Sequence, residues 1–179
     1  MTRALVEAAQ RGDRIAFETL VRERVGDVYR TSLAILGRPA DAEDATQDAF
    51  VAAWRSLRGL RDPDRFDAWF GRIVVNACRM ALRHRGRVRE IPAADVAGAH
   101  EAADSDPDPS TAVAEAAAFD RAFERLSVEE RAILVLHHRD DLGVEEIAAR
   151  LGVAQGTVKS RLHRARAALE RSLARENAR

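Results

Sequence analysis

A helix-turn-helix pattern lies at residues 144–166, which read VEEIAARLGVAQGTVKSRLHRAR. Residues 144–151 form a short segment of helical period, Gly152 permits a tight turn because it tolerates positive φ, and a longer helix follows from Thr157. Ala148 is small where the two helices would cross closely. The wedge between them would be filled by Ile147, Leu151, Val153, Val158 and Leu162. The spacing predicts a helix-turn-helix unit, a pattern that other helical hairpins can imitate.

The longer helix carries its basic and polar residues opposite its apolar stripe. At about 100° per residue, the apolar residues that share the side of Val158 are Leu162, Ala165 and Leu169. The opposite side holds Lys159, Ser160, His163 and Arg164, flanked by Arg161 and Arg166. Lys and Arg bind phosphates and guanine edges, and small polar side chains allow close approach to the major groove. The pattern favours a DNA-reading helix over a solvated amphipathic one.

A capping box precedes this unit. Ser127 and Glu130 have the S-x-x-E spacing that opens a helix, and Gly143 can close the turn after it. His137 and His138 could suggest metal ligands, but neighbouring residues on a helix point about 100° apart and no third ligand has suitable spacing. We therefore predict no metal site and no cofactor.

The first 60 residues predict two helices. Asp13 can cap the first, whose apolar positions follow the helical period, and Gly37 and Pro39 end it. These apolar positions are Phe17, Leu20, Val21, Val25, Val28, Leu33 and Leu36. Asp41 would be the N-cap of the second helix, whose apolar stripe is Phe50, Trp54 and Leu57. That helix also carries Glu43, Asp44 and Asp48, which is more acid than capping requires.

A third helix is predicted from Pro63 and Asp64 onward. Its apolar residues repeat at three and four positions: Phe66, Trp69, Phe70, Ile73, Val74, Ala77, Met80 and Ala81. Away from that stripe lie Arg72, Asn76, Arg79 and Arg83, and no acid occurs between Gly71 and Arg89. Solvated faces usually mix charges, so this face indicates contact with a polyanion. Trp69 at its border could stack on a base, although spacing alone favours core packing.

The formal net charge of zero hides segregation along the 179 residues. Net charge is +4 for residues 1–90, −6 for 91–125 and +2 for 126–179. Residues 91–115 are rich in Ala, Asp, Pro and Ser and lack periodicity, which predicts an acidic linker; the alternative is a long surface loop in one domain. We predict an all-α protein with two small helical domains, 1–90 and 116–179, joined by a flexible acidic linker.

Several functional classes are disfavoured. No stretch approaches the roughly 20 apolar residues of a membrane span, and Arg3, Glu7 and Arg11 interrupt any signal-peptide core, so we expect a cytoplasmic protein. Cys78 cannot form an intrachain disulfide and is expected to be a packing residue. The sequence has no Gly-rich phosphate loop, H-E-x-x-H pattern or nucleophile motif. We predict no enzymatic activity.

Three motifs together resemble a known family. They are DAEDATQDAFVAAW at 41–54, FDAWFGRIVVNACR at 66–79 and GTVKSRLHRAR at 156–166. In this order they resemble bacterial RNA polymerase sigma factors of the sigma-70 family, extracytoplasmic-function (ECF) type. The first domain would then be a region 2-like domain, and the second a region 4-like domain.

The resemblance implies a role for each motif. Core polymerase would dock, through the clamp helices of its largest subunits, on Asp41, Asp44, Gln47, Asp48 and Trp54. The minus-ten element would be melted and held by Trp69, Arg72, Asn76, Arg79, Arg83 and Arg85. The minus-thirty-five element would be read or held by Thr157, Lys159, Ser160, Arg161, His163, Arg164 and Arg166. The linker would thread into the channel that RNA later uses, and an anti-sigma partner would hold the factor inactive.

The sequence therefore predicts a promoter-specificity subunit that binds core RNA polymerase and promoter DNA and nucleates strand opening. One alternative is an ordinary helix-turn-helix regulator with an N-terminal dimerisation or sensor module. Another is a nucleic-acid-modifying enzyme, which the lack of a catalytic cluster disfavours.

Overall fold

The structure is a computed structural model, and it describes residues 2–88 and 109–178. The helices are α1 (Thr2–Gln10), α2 (Arg14–Leu36), α3 (Pro39–Ser56), α4 (Phe66–Val88), α5 (Pro109–Glu124), α6 (Val128–Leu134), α7 (Val144–Leu151) and α8 (Gln155–Asn177). Short 3₁₀ turns at Leu57–Gly59 and Pro63–Arg65 join α3 to α4, and a π-helical turn at Val135–Arg139 follows α6. No strand occurs among the described residues, and the predicted all-α class is confirmed. No helix in the same ranges is long and apolar enough to cross a membrane.

The N-terminal unit, α1–α4, begins with the predicted cap. Asp13 Oδ1 accepts hydrogen bonds from the backbone N–H groups of Ile15 (2.9 Å) and Ala16 (3.1 Å). Gly37 ends α2 at φ 74°, and its N–H donates to Leu33 O at 2.8 Å. Both ends of α2 therefore lie where the sequence predicts them.

The start of α3 differs from the prediction. Arg38 is the N-cap, and Pro39 is the first helical residue, where proline's missing N–H has no cost. Asp41 consequently lies inside the first turn and not at the cap. Pro39 was predicted to help end α2, and in the structure it also begins α3.

Helix α4 is the central element of the N-terminal unit. Phe66, Phe70 and Val74 are buried with residues of α1–α3, which confirms most of the predicted stripe. Met80 was expected on that stripe but is 57% exposed, and Val25 of α2 is 42% exposed. Each had the correct period, but no helix within residues 2–88 and 109–178 covers its position.

The C-terminal unit, α5–α8, begins earlier than expected. Residues 109–115, predicted as the end of the linker, lie in α5, because Pro109 suits a first helical turn and the following Ala-rich sequence favours helix. The rest of the predicted linker, residues 91–108, lies outside the described residues.

The helix-turn-helix is confirmed. Ser127 and Glu130 form the capping box of α6, with Ser127 N donating to Glu130 Oε2 at 2.9 Å. Gly152 ends α7 at φ 67°, and α8 then begins at Gln155, two residues before the predicted start. Between the helices the buried side chains are Ile147, Ala148, Val158, Leu162 and Ala165.

The two units share a core. Ile35, Leu36, Val75 and Cys78 of the N-terminal unit are buried in one cluster with apolar residues of α6, α7 and α8. The linker sequence leaves the relative position of the units open, whereas in the structure α4 packs against α7. This packing decides which polar faces are covered.

Asp13→Ala should lower the free energy of unfolding by about 1 kcal/mol, because two helix N–H groups lose their acceptor. Urea denaturation measures this change. Asp27→Ala is the control, since its ion pair with Arg30 is exposed and its loss should change stability by less than about 0.5 kcal/mol. Equal effects would show that the Asp13 cap contributes nothing specific.

Candidate nucleic-acid interface

Helix α8 presents an open basic face. Val158, Leu162 and Ala165 are buried, so the residues between them point away from the core. Those exposed residues, here called the α8 basic face, are Lys159, Ser160, His163 and Arg164. Local bonds order the face: Ser160 Oγ donates to Thr157 O at 3.0 Å, and Arg164 Nε donates to Ser160 O at 3.3 Å. The predicted grouping of these four residues is present in the structure.

The flanking residues of α8 differ in accessibility. Thr157 and Arg161 are half-buried, and Arg166 is exposed. Arg166 Nε donates to His138 Nε2 at 3.3 Å. Burial, followed by the positive charge of Arg166, lowers the pKa of His138, which favours the neutral ring that can accept this bond. Arg166 is thereby held against the π-helical turn beside the α8 basic face.

The polar residues of α4 lie close together, and their side chains form hydrogen bonds with other groups of the same chain. Arg72, Asn76 and Arg79, here called the α4 polar face, lie one turn apart. Arg79 Nη1 donates to Asn76 Oδ1 at 2.8 Å, and its Nε donates to Glu129 Oε1 at 3.1 Å. Arg72 Nη2 donates to Ala149 O at 3.2 Å. The sequence interpretation that this face lacks counter-charge is wrong, because Glu129 of α6 supplies it from another element.

The remaining predicted minus-ten residues are scattered. Arg83 is exposed, and its Nη2 lies 2.8 Å from Met80 Sδ. Arg85 pairs with Asp41 at 3.2 Å, which joins α4 to α3 and uses one residue from each of two predicted sites. Trp69 is half-buried, with its ring 5.7 Å from that of Phe66. Its position at the border between core and solvent agrees with its helical spacing.

Helix α3 presents an acidic face. Asp44, Gln47 and Asp48, here called the α3 acidic face, are exposed, whereas Ala42, Ala45 and Ala49 are buried. Trp54 continues the stripe toward the end of α3, is 38% exposed, and contacts Phe17 with ring centroids 4.8 Å apart. The face is therefore polar at one end and aromatic at the other.

An apolar groove next to Trp54 was not predicted. It has a volume of about 350 Å³ and is lined by Arg14, Phe17, Glu18, Phe50, Val51 and Trp54. Val51 follows Asp44, Gln47 and Asp48 at helical spacing, so the same periodicity could have identified it. The groove extends the accessible surface of α3 beyond its acids.

The sequence analysis missed two further residues, Gly71 and Glu129, because each contacts a residue of the other helical unit. Gly71 is buried in the middle of α4, and Glu129 caps no helix but pairs with Arg79. A glycine inside a strongly periodic helix is a signal of close approach, whereas nothing local distinguishes Glu129. Cys78 is fully buried, and burial raises the pKa of its thiol to about 11, as suits a packing residue.

Family models match both helical units. Residues 20–88 match sigma-70 region 2, and residues 116–169 match sigma-70 region 4. The ECF RNA polymerase sigma factor SigM of Mycobacterium tuberculosis is 38% identical over 169 residues, covering 94% of this chain and 83% of that protein. The RNA polymerase sigma-H factor of Pseudomonas aeruginosa is 31% identical, covering 94% and 92%.

Solved structures give the same assignment. CnrH, in complex with the cytosolic domain of CnrY, matches with a TM-score of 0.66 and 28% identity over 96% of each chain. The sigma factor RpoE of Bartonella quintana, in complex with the anti-sigma factor NepR, matches with a TM-score of 0.65 and 26% identity over 88% of this chain and 96% of that one. The chain therefore belongs to the sigma-70 family of RNA polymerase sigma factors, in its extracytoplasmic-function type.

Proposed function

We propose that this chain acts as a promoter-specificity subunit through three separate faces. It binds core RNA polymerase, directs it to the minus-thirty-five and minus-ten elements, and nucleates strand opening. The observation that carries the proposal is that one short chain presents an acidic face on α3 and arginine-bearing faces on α4 and α8. A subunit that connects a polymerase to a promoter needs both kinds of surface.

The α8 basic face would read the minus-thirty-five element. Its four exposed side chains lie on the second helix of a helix-turn-helix, the element that enters the major groove. Lys159 and Arg164 would contact phosphates or guanine edges, and Ser160 and His163 would lie at base edges. Thr157, Arg161 and Arg166 would hold the phosphate backbone.

The α4 polar face would hold the opened minus-ten strand. Asn76 would lie near a flipped-out base, and Trp69 would lie at the edge of the opening duplex. Extruding a base costs a few kcal/mol, which contacts with the base and the phosphates must offset. Arg72, Arg79 and Arg83 would supply the phosphate contacts. Arg85 is a positioning residue in this proposal, because its pair with Asp41 holds α4 on α3.

The α3 acidic face would dock on the clamp helices of the largest polymerase subunits. Asp44, Gln47 and Asp48 are exposed together, and the groove beside Trp54 offers apolar contact at the end of the same helix. A charged stripe beside an aromatic anchor is a common composition for a protein-binding surface. Asp41 would support this face from its pair with Arg85.

The remaining assignments follow from this role. The region 2-like domain would span residues 1–90, and the region 4-like domain would begin with α5 at Pro109. Residues 91–108 would connect them through the RNA channel. The chain would act in the cytoplasm, where its polymerase and DNA partners are found, with no catalytic activity of its own. An anti-sigma protein would regulate it, as NepR accompanies the Bartonella quintana relative.

Run-off transcription with purified core polymerase tests the proposed function directly. Adding the chain should start transcription from defined sites on templates from its own genome, and core polymerase alone should not. An ordinary helix-turn-helix regulator would bind DNA without starting transcription on any template. That result would refute the proposal.

Replacing both Asp44 and Asp48 by Lys should weaken core binding roughly tenfold or more, equivalent to at least about 1.4 kcal/mol, because two docking charges are reversed. Fluorescence anisotropy with labelled chain measures the affinity. Asp27→Lys combined with Glu170→Lys is the control, since it changes the total charge equally at exposed sites on α2 and α8, outside the groove beside Trp54. Equal weakening by both pairs would remove α3 from the docking site.

Replacing Lys159 and Arg164 by Ala should weaken duplex promoter binding and reduce the slope of log affinity against log salt by about two, one for each lost phosphate contact. Titrations at several salt concentrations measure the slope. Arg22→Ala with Arg30→Ala removes the same charge from α2 and should leave the slope unchanged. An unaltered slope in the α8 variant would place phosphate binding elsewhere.

A further inference from the structure

Residues 57–65, here called the α3–α4 connection, lead from the end of α3 directly into α4. Buried apolar side chains anchor the chain at both ends of this stretch: Leu57 is 1% exposed, and Phe66, the first residue of α4, is 2% exposed. Between these anchors two 3₁₀ turns are separated by residues 60–62. The course of the connection therefore sets where α4 begins and where Trp69, in its first turn, is placed.

Gln10, the last residue of α1, holds the middle of the α3–α4 connection. Its Nε2 donates to Leu57 O at 3.0 Å and to Leu60 O at 2.6 Å. A primary amide has two N–H donors, so both bonds can form at once. The Gln10 side chain is half-buried, where a carbonyl that loses its donor is less easily satisfied by water. One side chain thus ties two carbonyls of the connection to α1.

Helix α1 gives Gln10 a fixed base. Val6 is fully buried and Ala9 is 3% exposed, and both belong to the core cluster of the N-terminal unit. Arg3 lies on the same side of α1 as Gln10, about two turns earlier, and its Nη1 donates to Asp64 Oδ2 at 2.6 Å. Both side chains of that ion pair are 60% exposed, so it contributes little stability. Gln10 therefore makes the stronger contact between α1 and the connection.

The α3–α4 connection carries three exposed cations, Arg58, Arg61 and Arg65. None of them forms an ion pair with another described residue. The acids of the same stretch are engaged: Asp62 Oδ1 accepts from the Asp64 N–H at 3.0 Å, and Asp64 pairs with Arg3. Guanidinium groups on a backbone that is already ordered bind phosphates at a lower entropic cost.

We propose that Gln10 is a positioning residue for promoter opening. By holding Leu57 O and Leu60 O, it orders the α3–α4 connection and the first turn of α4 before DNA arrives. Gln10 does not itself contact DNA, and it lies before residue 20, where the match to sigma-70 region 2 begins. The inference rests on the proposed function for the identity of the ligand, whereas the hold of Gln10 on the connection does not depend on it.

Hydrogen–deuterium exchange of the full chain tests the hold itself. Gln10→Met keeps nearly the same side-chain length and removes both donors. The amides of Leu60 and Arg65, which donate to Leu57 O and Asp62 O within the connection, should exchange roughly tenfold faster in this variant, because the connection opens more often. The amide of Gly37, which donates to Leu33 O at the end of α2, is the internal reference and should exchange at the wild-type rate.

Strand opening by the holoenzyme tests the consequence. The full chain, bound to core polymerase, is placed on a promoter identified by run-off transcription, and permanganate reactivity of unpaired thymines measures the rate of opening. Gln10→Met should slow opening roughly fivefold, because the connection must then be ordered during each event. Affinities for core polymerase and for duplex DNA should stay unchanged, because the α3 acidic face and the α8 basic face keep all their contacts.

Asp13→Ala is the matched control. It removes two hydrogen bonds at the start of α2, in the same helical unit, and leaves both Gln10 bonds in place. Thermal denaturation compares the loss of stability in the two variants. Exchange at Leu60 and Arg65 and the rate of opening should match the wild type in Asp13→Ala. Equal slowing of opening by both variants would assign the effect to overall stability and refute the positioning role.

Rescue at a second position gives an independent test. A Cβ atom at Gly59, which ends the first 3₁₀ turn, would meet no other atom within 4 Å. Alanine fits there and restricts the backbone more than glycine does. Adding Gly59→Ala to Gln10→Met should slow exchange at Leu60 and restore part of the opening rate. Adding it to Asp13→Ala should leave the opening rate as it was.

The remaining outcomes separate this inference from the proposed function. Wild-type exchange at Leu60 and Arg65 in Gln10→Met would show that Gln10 does not hold the connection. Faster exchange with an unchanged opening rate would refute the positioning role and leave the chain a promoter-specificity subunit. A wild-type chain that starts no transcription would refute the proposed function and the positioning role together, and the exchange measurement would still decide whether Gln10 holds the connection.

Discussion

Helix α4 must satisfy two sets of neighbours at once, and the rest of the structure depends on this constraint. Phe66, Phe70 and Val74 bury one side of the helix among α1–α3. Val75 and Cys78 are buried in the cluster that includes residues of α6, α7 and α8. Apolar residues on two sides leave only a narrow polar strip. Arg72, Asn76 and Arg79 occupy that strip, so any element that packs on the second apolar side lies directly beside them.

The distribution of charge over separate faces of the molecule is more informative than its net charge. The formal net charge is zero, yet the exposed residues of α8 include a basic group and those of α3 an acidic one. Ion pairs between elements, such as Arg85 with Asp41 and Arg79 with Glu129, cancel charges that the linear sequence assigns to separate sites. Lys159 and Arg164 of α8 and Asp44 and Asp48 of α3 are exposed, and none of them forms an ion pair with another described residue. A partner molecule would encounter these charges first.

Local sequence rules located most of the elements. Asp13, Gly37, the Ser127 capping box and Gly152 all lie at the helix ends where their chemistry predicts them. Periodicity also predicted the exposed basic side of α8 correctly, because the spacing of residues alone decides which of them share one side of a helix. The exceptions are instructive. Asp41 lies within a helix because Pro39 starts that helix. Met80 is exposed because no helix in the part of the chain that the structure describes covers its side of α4.

Local sequence patterns are therefore enough to predict the helices, their caps, the helix-turn-helix and the faces on which charges gather, together with the family that these motifs resemble. The accessibility of each face follows from folding, because it depends on contacts between residues 50 or more positions apart, such as Arg79 with Glu129 and Arg72 with Ala149. Helical period carries no information about such pairs. The period gives the direction in which a side chain points from the axis of its own helix. The accessibility of that side chain depends on whether another helix packs against the same side.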